Sequence, residues 1–258
     1  MSEHLHIEQR GAVRVLTIDR PESKNALHGP LRTALREAMR AADHDHRVTA
    51  VVLTAVDPIF SAGVDFKQLE RGPDETGDPL DATPAAAIRA VRKPVICAVN
   101  GACVSGALEV ALSCSFIVAS ERARFADTHA MLGVVPTWGM TALLPRAVGV
   151  RKAREMSISG AFVDAAEALR IGLVNHVVPH EQLLPLALDL AGRVPATQAV
   201  AEMLDLYTHG EDLSLSAALA LETFRSIGRK YDLAAFTAAG RSISGGHGRK
   251  SPTAEGIP

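Results

Sequence analysis

The feature that most constrains this chain is a series of short, continuously apolar, β-branched runs at 48–54, 94–99, 116–119 and 173–178. Runs of this length without polar alternation read as strands buried on both faces, as in a parallel sheet. A further run at 13–19, VRVLTID, reads as a strand followed by a turn at Arg20-Pro21-Glu22. Between the strands the period changes. Leu31, Leu35 and Met39 recur at i, i+4 and i+8 and mark an amphipathic helix over 30–42. Helical patterns recur near 106–112, 140–148, 150–159 and 164–171. Alternating strands and helices imply an α/β fold with parallel pairing through right-handed crossovers.

After about residue 180 the strand signal ends. Segments 180–193, 195–207 and 213–229 read as helices, with Pro185 in the first turns of one and Pro195 placed to begin the next. The expected organisation is an α/β core over 1–178 and a helical region over 179–258. Segment 71–84, RGPDETGDPLDATP, reads as a mobile loop, and the tail from Ser242 as disordered.

Composition narrows the function classes. With 47% hydrophobic and 22% charged residues over 258 positions, a full core is expected and disorder of the whole chain is not. A net charge of −2 argues against a nucleic-acid partner, which usually meets a basic excess. It leaves room for a small polyanionic ligand, which needs only a few local cations. No stretch approaches the roughly 18–20 apolar residues that span a bilayer. The opening MSEHLHIEQRG lacks the apolar core of a secretion signal, so a cytoplasmic protein without a membrane partner is expected. Cys97, Cys103 and Cys114 form no CxxC pair and read as buried reduced thiols, with no metal site.

Two segments carry the chemistry: Phe60-Ser61-Ala62-Gly63-Val64-Asp65-Phe66, and the run from Lys93 through Asn100-Gly101 to Ser105-Gly106-Ala107-Leu108-Glu109. In each, a buried strand runs into small residues and a helix follows. Small residues admit a ligand close to the backbone, and a helix start offers free N–H groups and the positive end of a dipole. Two such starts facing one another make an oxyanion hole. Glu109 lies about one helical turn past Gly106, so its carboxylate returns to the same side as that amide. A carboxylate in the apolar run 107–112 either faces a cavity or is structurally paired.

The pieces RPESKNAL at 20–27, FSAGVDF at 60–66, KPVICAVNGACVSGALEVALSCSFIVAS at 93–120 and the run 125–149 together resemble the crotonase superfamily of enoyl-CoA hydratases and isomerases. The resemblance covers roughly residues 10–235. It implies a spiral of ββα units with a C-terminal helical trimerisation region, a homotrimer or a hexamer built as a dimer of trimers, and an acyl-CoA thioester as substrate. Coenzyme A is then part of the substrate and no separate cofactor is expected. Carried over by position, the oxyanion donors are the amides of Val64 and Gly106. Lys24, Ala26, Ala62, Asp65, Phe66 and Lys67 lie along the CoA path, where Lys24 and Lys67 offer ammonium donors to phosphate. Glu109 matches the first catalytic glutamate of the hydratases, and Trp138 either narrows the acyl pocket or fills core.

The chain departs from the family pattern at one decisive position: where the second hydratase glutamate falls, it has His129. An imidazole can hold water or supply a proton near neutral pH. It also fits double-bond isomerisation, acyl-CoA hydrolysis or decarboxylation, or a binding protein that keeps the hole and loses the chemistry. Ser105, Asp127 and His129 include the types needed for nucleophilic hydrolysis. In an extended segment, however, Asp127 would not easily orient His129. The leading expectation is hydration of a 2-enoyl-CoA to a 3-hydroxyacyl-CoA in fatty-acid metabolism, with Glu109 and His129 as the catalytic side chains.

Overall fold

The strands pair into a six-stranded sheet in the order Leu5–Arg10, Val13–Ile18, Ala50–Ala55, Val95–Val99, Phe116–Ser120, His176–Val178. The computed structural model describes residues 3–65 and 83–227; Phe66, Lys67, most of the expected 71–84 loop and the expected tail from Ser242 lie outside them. The strands of this sheet are β1 (Leu5–Arg10), β2 (Val13–Ile18), β3 (Ala50–Ala55), β4 (Val95–Val99), β6 (Phe116–Ser120) and β9 (His176–Val178). β1 and β2 form an antiparallel hairpin, and every other pairing is parallel. A smaller sheet joins β5 (Ala102–Val104), β7 (Arg124–Ala126) and β8 (Val163–Asp164).

Both faces of the large sheet are covered, as continuous apolar strands require. Leu16, Ile18, Val51 and Leu53 face one cluster, which includes Leu31, Leu35 and Met39 of α1 (Gly29–His44). The alternate residues Val13, Val15, Ala50 and Val52 face a second cluster closed by Leu183, Ala187 and Ala191 of a later helix, Leu183–Gly192. The period of two along a strand thus splits one sheet between two apolar layers. The other helices are α2 (Pro84–Ala90), α3 (Gly106–Leu112), α4 (Met140–Val148), α5 (Val150–Ser159) and α6 (Ala165–Arg170). After α7 (Leu183–Gly192) come α8 (Gln198–Gly210) and α9 (Leu215–Ser226).

Packing divides the chain into a unit ending at Asp205 and one beginning at Leu206. The sequence places this boundary near 178. It falls later because α7 is not an appendage: its apolar stripe closes the second face of the sheet. In the C-terminal unit, α9 carries Leu215, Leu219 and Phe224 exposed. Among the described residues, no helix is long and apolar enough to cross a membrane.

The turn after β2 sets up the site. A short 3₁₀ turn at Pro21–Ser23 delivers Lys24 and Asn25 in consecutive left-handed conformations, φ 54° and 52°. Asn tolerates this backbone better than most residues. The Asn25 side chain is fully buried and accepts from the Arg20 amide (2.8 Å) while donating to the carbonyls of Val56 (2.9 Å) and Ile59 (2.7 Å). It therefore ties residues 20–27 to the chain leaving β3. Asn25→Ala should lower unfolding free energy by about 3–5 kcal/mol, since each buried group left unpaired costs about 1–3 kcal/mol. Denaturant melts check this; a loss under about 1 kcal/mol would show that the segment is anchored elsewhere.

Candidate active site

The site is built from backbone segments laid side by side. The amide of Ala62 donates to Lys24 (3.0 Å) and that of Leu27 to Gly63 (2.8 Å). The amide of Ser61 donates to Ala102 (3.0 Å) and that of Val104 to Ser61 (3.1 Å). Residues 24–27, 61–65 and 102–104 thus extend the small sheet, and this ladder brings residue 64 beside residue 106. Gly63 sits at φ +93°, and a Cβ there would lie 2.8 Å from the Val104 carbonyl oxygen and 3.2 Å from the Gly106 nitrogen. A Cβ on Gly106 would lie 3.4 Å from the Val64 nitrogen and 3.3 Å from Cζ3 of Trp138. The two expected oxyanion donors are therefore neighbours. Neither amide has a hydrogen-bond partner among the described residues. Gly106 opens α3, where geometry leaves the first amides without an intrahelical acceptor.

The turn into α3 is strained and over-determined. Ser105 has φ 49° and ψ −111°. Its amide donates to Ala126 (2.9 Å), and its hydroxyl accepts from the Thr128 amide (2.9 Å) and bonds the Thr128 hydroxyl (2.7 Å). Such a backbone persists only where its surroundings hold it. The Ser105 hydroxyl is thus committed to Thr128, and the structure shows no Ser105–His129 hydrogen bond for a nucleophilic mechanism.

Glu109 is 1% exposed. Its Oε1 accepts from the amides of Trp138 (2.7 Å) and Met140 (3.1 Å), at the start of α4. Its Oε2 lies 3.7 Å from Nε2 of His129. One oxygen is used in structure and the other faces the imidazole. Burial raises the proton affinity of Glu109 above the ordinary carboxylate value, against the lowering effect of the two amides.

His129 corrects one sequence expectation. The segment is not extended there: His129 has φ −56° and ψ −48° and leads into a 3₁₀ turn at Ala130–Leu132. The chain bends back, and Oδ1 of Asp127, which is 1% exposed, meets both His129 Nδ1 (2.6 Å) and the His129 amide (3.2 Å). Burial acts to lower the imidazole, but Asp127 and then Glu109 outweigh it and hold His129 above its ordinary value. Burial would raise Asp127, and hydrogen bonds led by the His129 ring bring it below the usual range.

The remaining candidates separate. Trp138 is 7% exposed and packs its ring edge over the Gly106 α-carbon, with the Arg32 guanidinium 6.0 Å above the ring centroid. Arg89, which the sequence reading missed, donates to the Trp138 carbonyl (3.1 Å) and the Ser113 hydroxyl (2.9 Å) and so fixes the other side of that peptide. Lys24 is exposed, Ala26 is buried and Ala62 is half-buried. Asp65 is 8% exposed and turns its carboxylate onto Arg20 at 2.6 Å. Among the described residues, no three His, Cys, Asp or Glu side chains gather as a metal site. Cys97 and Cys103 are buried free thiols and Cys114 a half-buried one; burial raises the first two well above the ordinary value.

Residues 8–228 match the sequence model of the enoyl-CoA hydratase/isomerase family. The chain belongs to that family. A probable enoyl-CoA hydratase of Rhizobium meliloti is 37% identical over 246 residues, covering 92% of this chain and 95% of the relative. The crystal structure of an enoyl-CoA hydratase from Mycobacterium tuberculosis H37Rv superposes with a TM-score of 0.74 at 41% identity, over 87% of this chain and 97% of that one. One from Bacillus anthracis gives 0.85 at 26% identity, over 93% and 97%. Membership of the enoyl-CoA hydratase/isomerase family accounts for the α/β crotonase architecture.

The ladder leaves no room for a side chain at Gly63. Gly63→Ala meets a backbone oxygen and a backbone nitrogen at a φ that L side chains rarely adopt. It should cost about 2 kcal/mol or more and lower the melting temperature. An unchanged melting temperature would show that residues 61–65 shift freely away from 104–106.

Proposed function

We propose that this chain adds water across the double bond of a 2-enoyl-CoA thioester to give a 3-hydroxyacyl-CoA. The observation that carries this reading is the pair of unpartnered amides at Val64 and Gly106 beside the open oxygen of Glu109 and Nε2 of His129. The names of the family relatives point the same way. A thioester oxygen accepting from both amides gains partial negative charge, which polarises the conjugated double bond and stabilises the enolate that forms on attack at Cβ. The 3.7 Å gap between Glu109 Oε2 and His129 Nε2 lets one water reach both. Glu109 takes the proton of that water as oxygen bonds to Cβ. The imidazolium of His129 delivers a proton to Cα. Its neighbours favour the charged ring, and burial makes Glu109 a stronger base, so both directions of shift suit these roles.

Lys24, Ala26, Ala62 and the backbone at Asp65 would line the CoA path, and Trp138 would bound the acyl group. The exposed apolar side chains of α9 favour assembly into a homotrimer or a hexamer in the cytoplasm.

Isomerisation by one base is the second reading, favoured by Glu109, which among the described residues turns a carboxylate oxygen without a backbone donor towards the hole. Loss of the conjugated-thioester absorbance of crotonyl-CoA tests hydration directly. Glu109→Gln should lower turnover by about 10²–10⁴-fold while still binding acyl-CoA. A Gln variant with full activity would remove Glu109 from the mechanism. His129→Ala decides between the readings: a loss under about threefold would favour one-base isomerisation, whereas hydration predicts a loss of about 10²-fold or more. For assembly, light scattering should report a trimer or hexamer mass; a monomer at micromolar concentration would contradict it.

A further inference from the structure

Asp127 has no assigned part in the reaction above, yet it makes one of the two shortest contacts described for the site. Its Oδ1 grips the ring and the main chain of His129 at once, 2.6 Å from Nδ1 and 3.2 Å from the amide. The ring therefore cannot turn about χ1 or χ2 without breaking a bond to a buried carboxylate, and such a carboxylate is costly to leave unpaired. We propose that Asp127 is a positioning residue that keeps the proton of His129 on Nδ1, so that Nε2 alone exchanges protons with substrate and with Glu109.

The inference rests on the hydratase reading and adds how the site resets. After water has added, Glu109 holds the proton taken from water and His129 has lost its Nε2 proton to Cα. Donor Oε2 and acceptor Nε2 are then 3.7 Å apart. Transfer of that proton from Glu109 to Nε2 through a water that bridges the two, accepting from Oε2 and donating to Nε2, restores carboxylate and imidazolium. The reset works only if Nε2 is the basic nitrogen, and the bond from Nδ1 to Asp127 secures this. The ionisable groups facing His129 are Asp127 and Glu109, and Arg89 acts on Glu109 from the other side. The competing role for Asp127 is purely local: capping the 130–132 turn through the His129 amide.

Nitrogen-15 NMR of the full-length protein, with the His129 signals identified by their loss in His129→Gln, separates the two. In the wild type the neutral ring should be the Nδ1–H tautomer. Asp127→Asn keeps an acceptor for the amide but removes the charge. It should lower the His129 titration midpoint by roughly one unit or more, because an adjacent opposite charge moves a pKa by about 1–3. The basic limb of the kcat–pH profile with crotonyl-CoA should move down equally, with KM within about threefold and kcat above that limb falling about tenfold or more. A neutral wild-type ring protonated on Nε2 overturns the proposal, and this reading holds even if the Asn variant does not fold. A folded variant with an unmoved His129 midpoint also overturns it. A midpoint that moves while the basic limb stays leaves Asp127 a turn cap and rejects its part in proton transfer. If the wild type does not hydrate crotonyl-CoA, the hydratase reading fails by itself, and the tautomer and midpoint still decide whether Asp127 positions the ring.

Discussion

The close approach of the chain at 61–65 to the chain at 102–106 is the constraint on which the rest of the site depends. It is a backbone contact, held by the Ser61–Ala102 and Val104–Ser61 hydrogen bonds and made possible by the absence of a side chain at Gly63. Everything chemical is registered to it. The helix that begins at Gly106 aims Glu109, the Gly106 α-carbon gives the Trp138 ring its place, and the Ser105 turn fixes Thr128 and hence the start of the 128–132 segment. Strain at Ser105 is the local cost of turning from β5 into α3 within one residue, and the bond its amide donates to the Ala126 carbonyl and those its hydroxyl makes with Thr128 offset it.

The electrostatics of the site follow from burial more than from net charge. Three titratable groups, Glu109, His129 and Asp127, are withdrawn from water, and each meets a partner suited to it. Asp127 has the imidazole, His129 lies between two carboxylates, and Glu109 has two amides at a helix start on one oxygen and the imidazole on the other. Arg89 stands behind the same peptide, itself pushed down by burial and supported by Glu109. A low dielectric strengthens each of these interactions.

Much of this was legible in the residues. The helices at 106–112, 140–148 and 150–159 and the buried strands at 48–54 and 94–99 announce themselves by apolar period, because their burial is what stabilises them. β1 gave no such signal: in LHIEQR only Leu5 is buried, and the strand is held by backbone pairing to β2. β5, β7 and β8 are two or three residues long and exist through the same ladder that brings the Val64 and Gly106 amides together. Within the run 173–178 only the last half is strand, since Leu173 and Val174 are buried in the turn that leaves α6. The pairing of Asp127 with His129 was hidden for a different reason. Two residues apart, they share a face of a strand at about 6–7 Å but meet within hydrogen-bond distance in a tight turn, and the local sequence does not say which applies.

The double use of the Glu109 carboxylate links two properties that are usually treated as separate. The peptide whose amides hold Oε1 is the one that carries the Trp138 ring across the Gly106 α-carbon. A backbone shift at 138–140 that moves this ring also displaces the donors that oppose the effect of burial on Glu109. The place of the ring and the proton affinity of the buried carboxylate are thus coupled through one backbone segment, and a shift of that segment is felt by both.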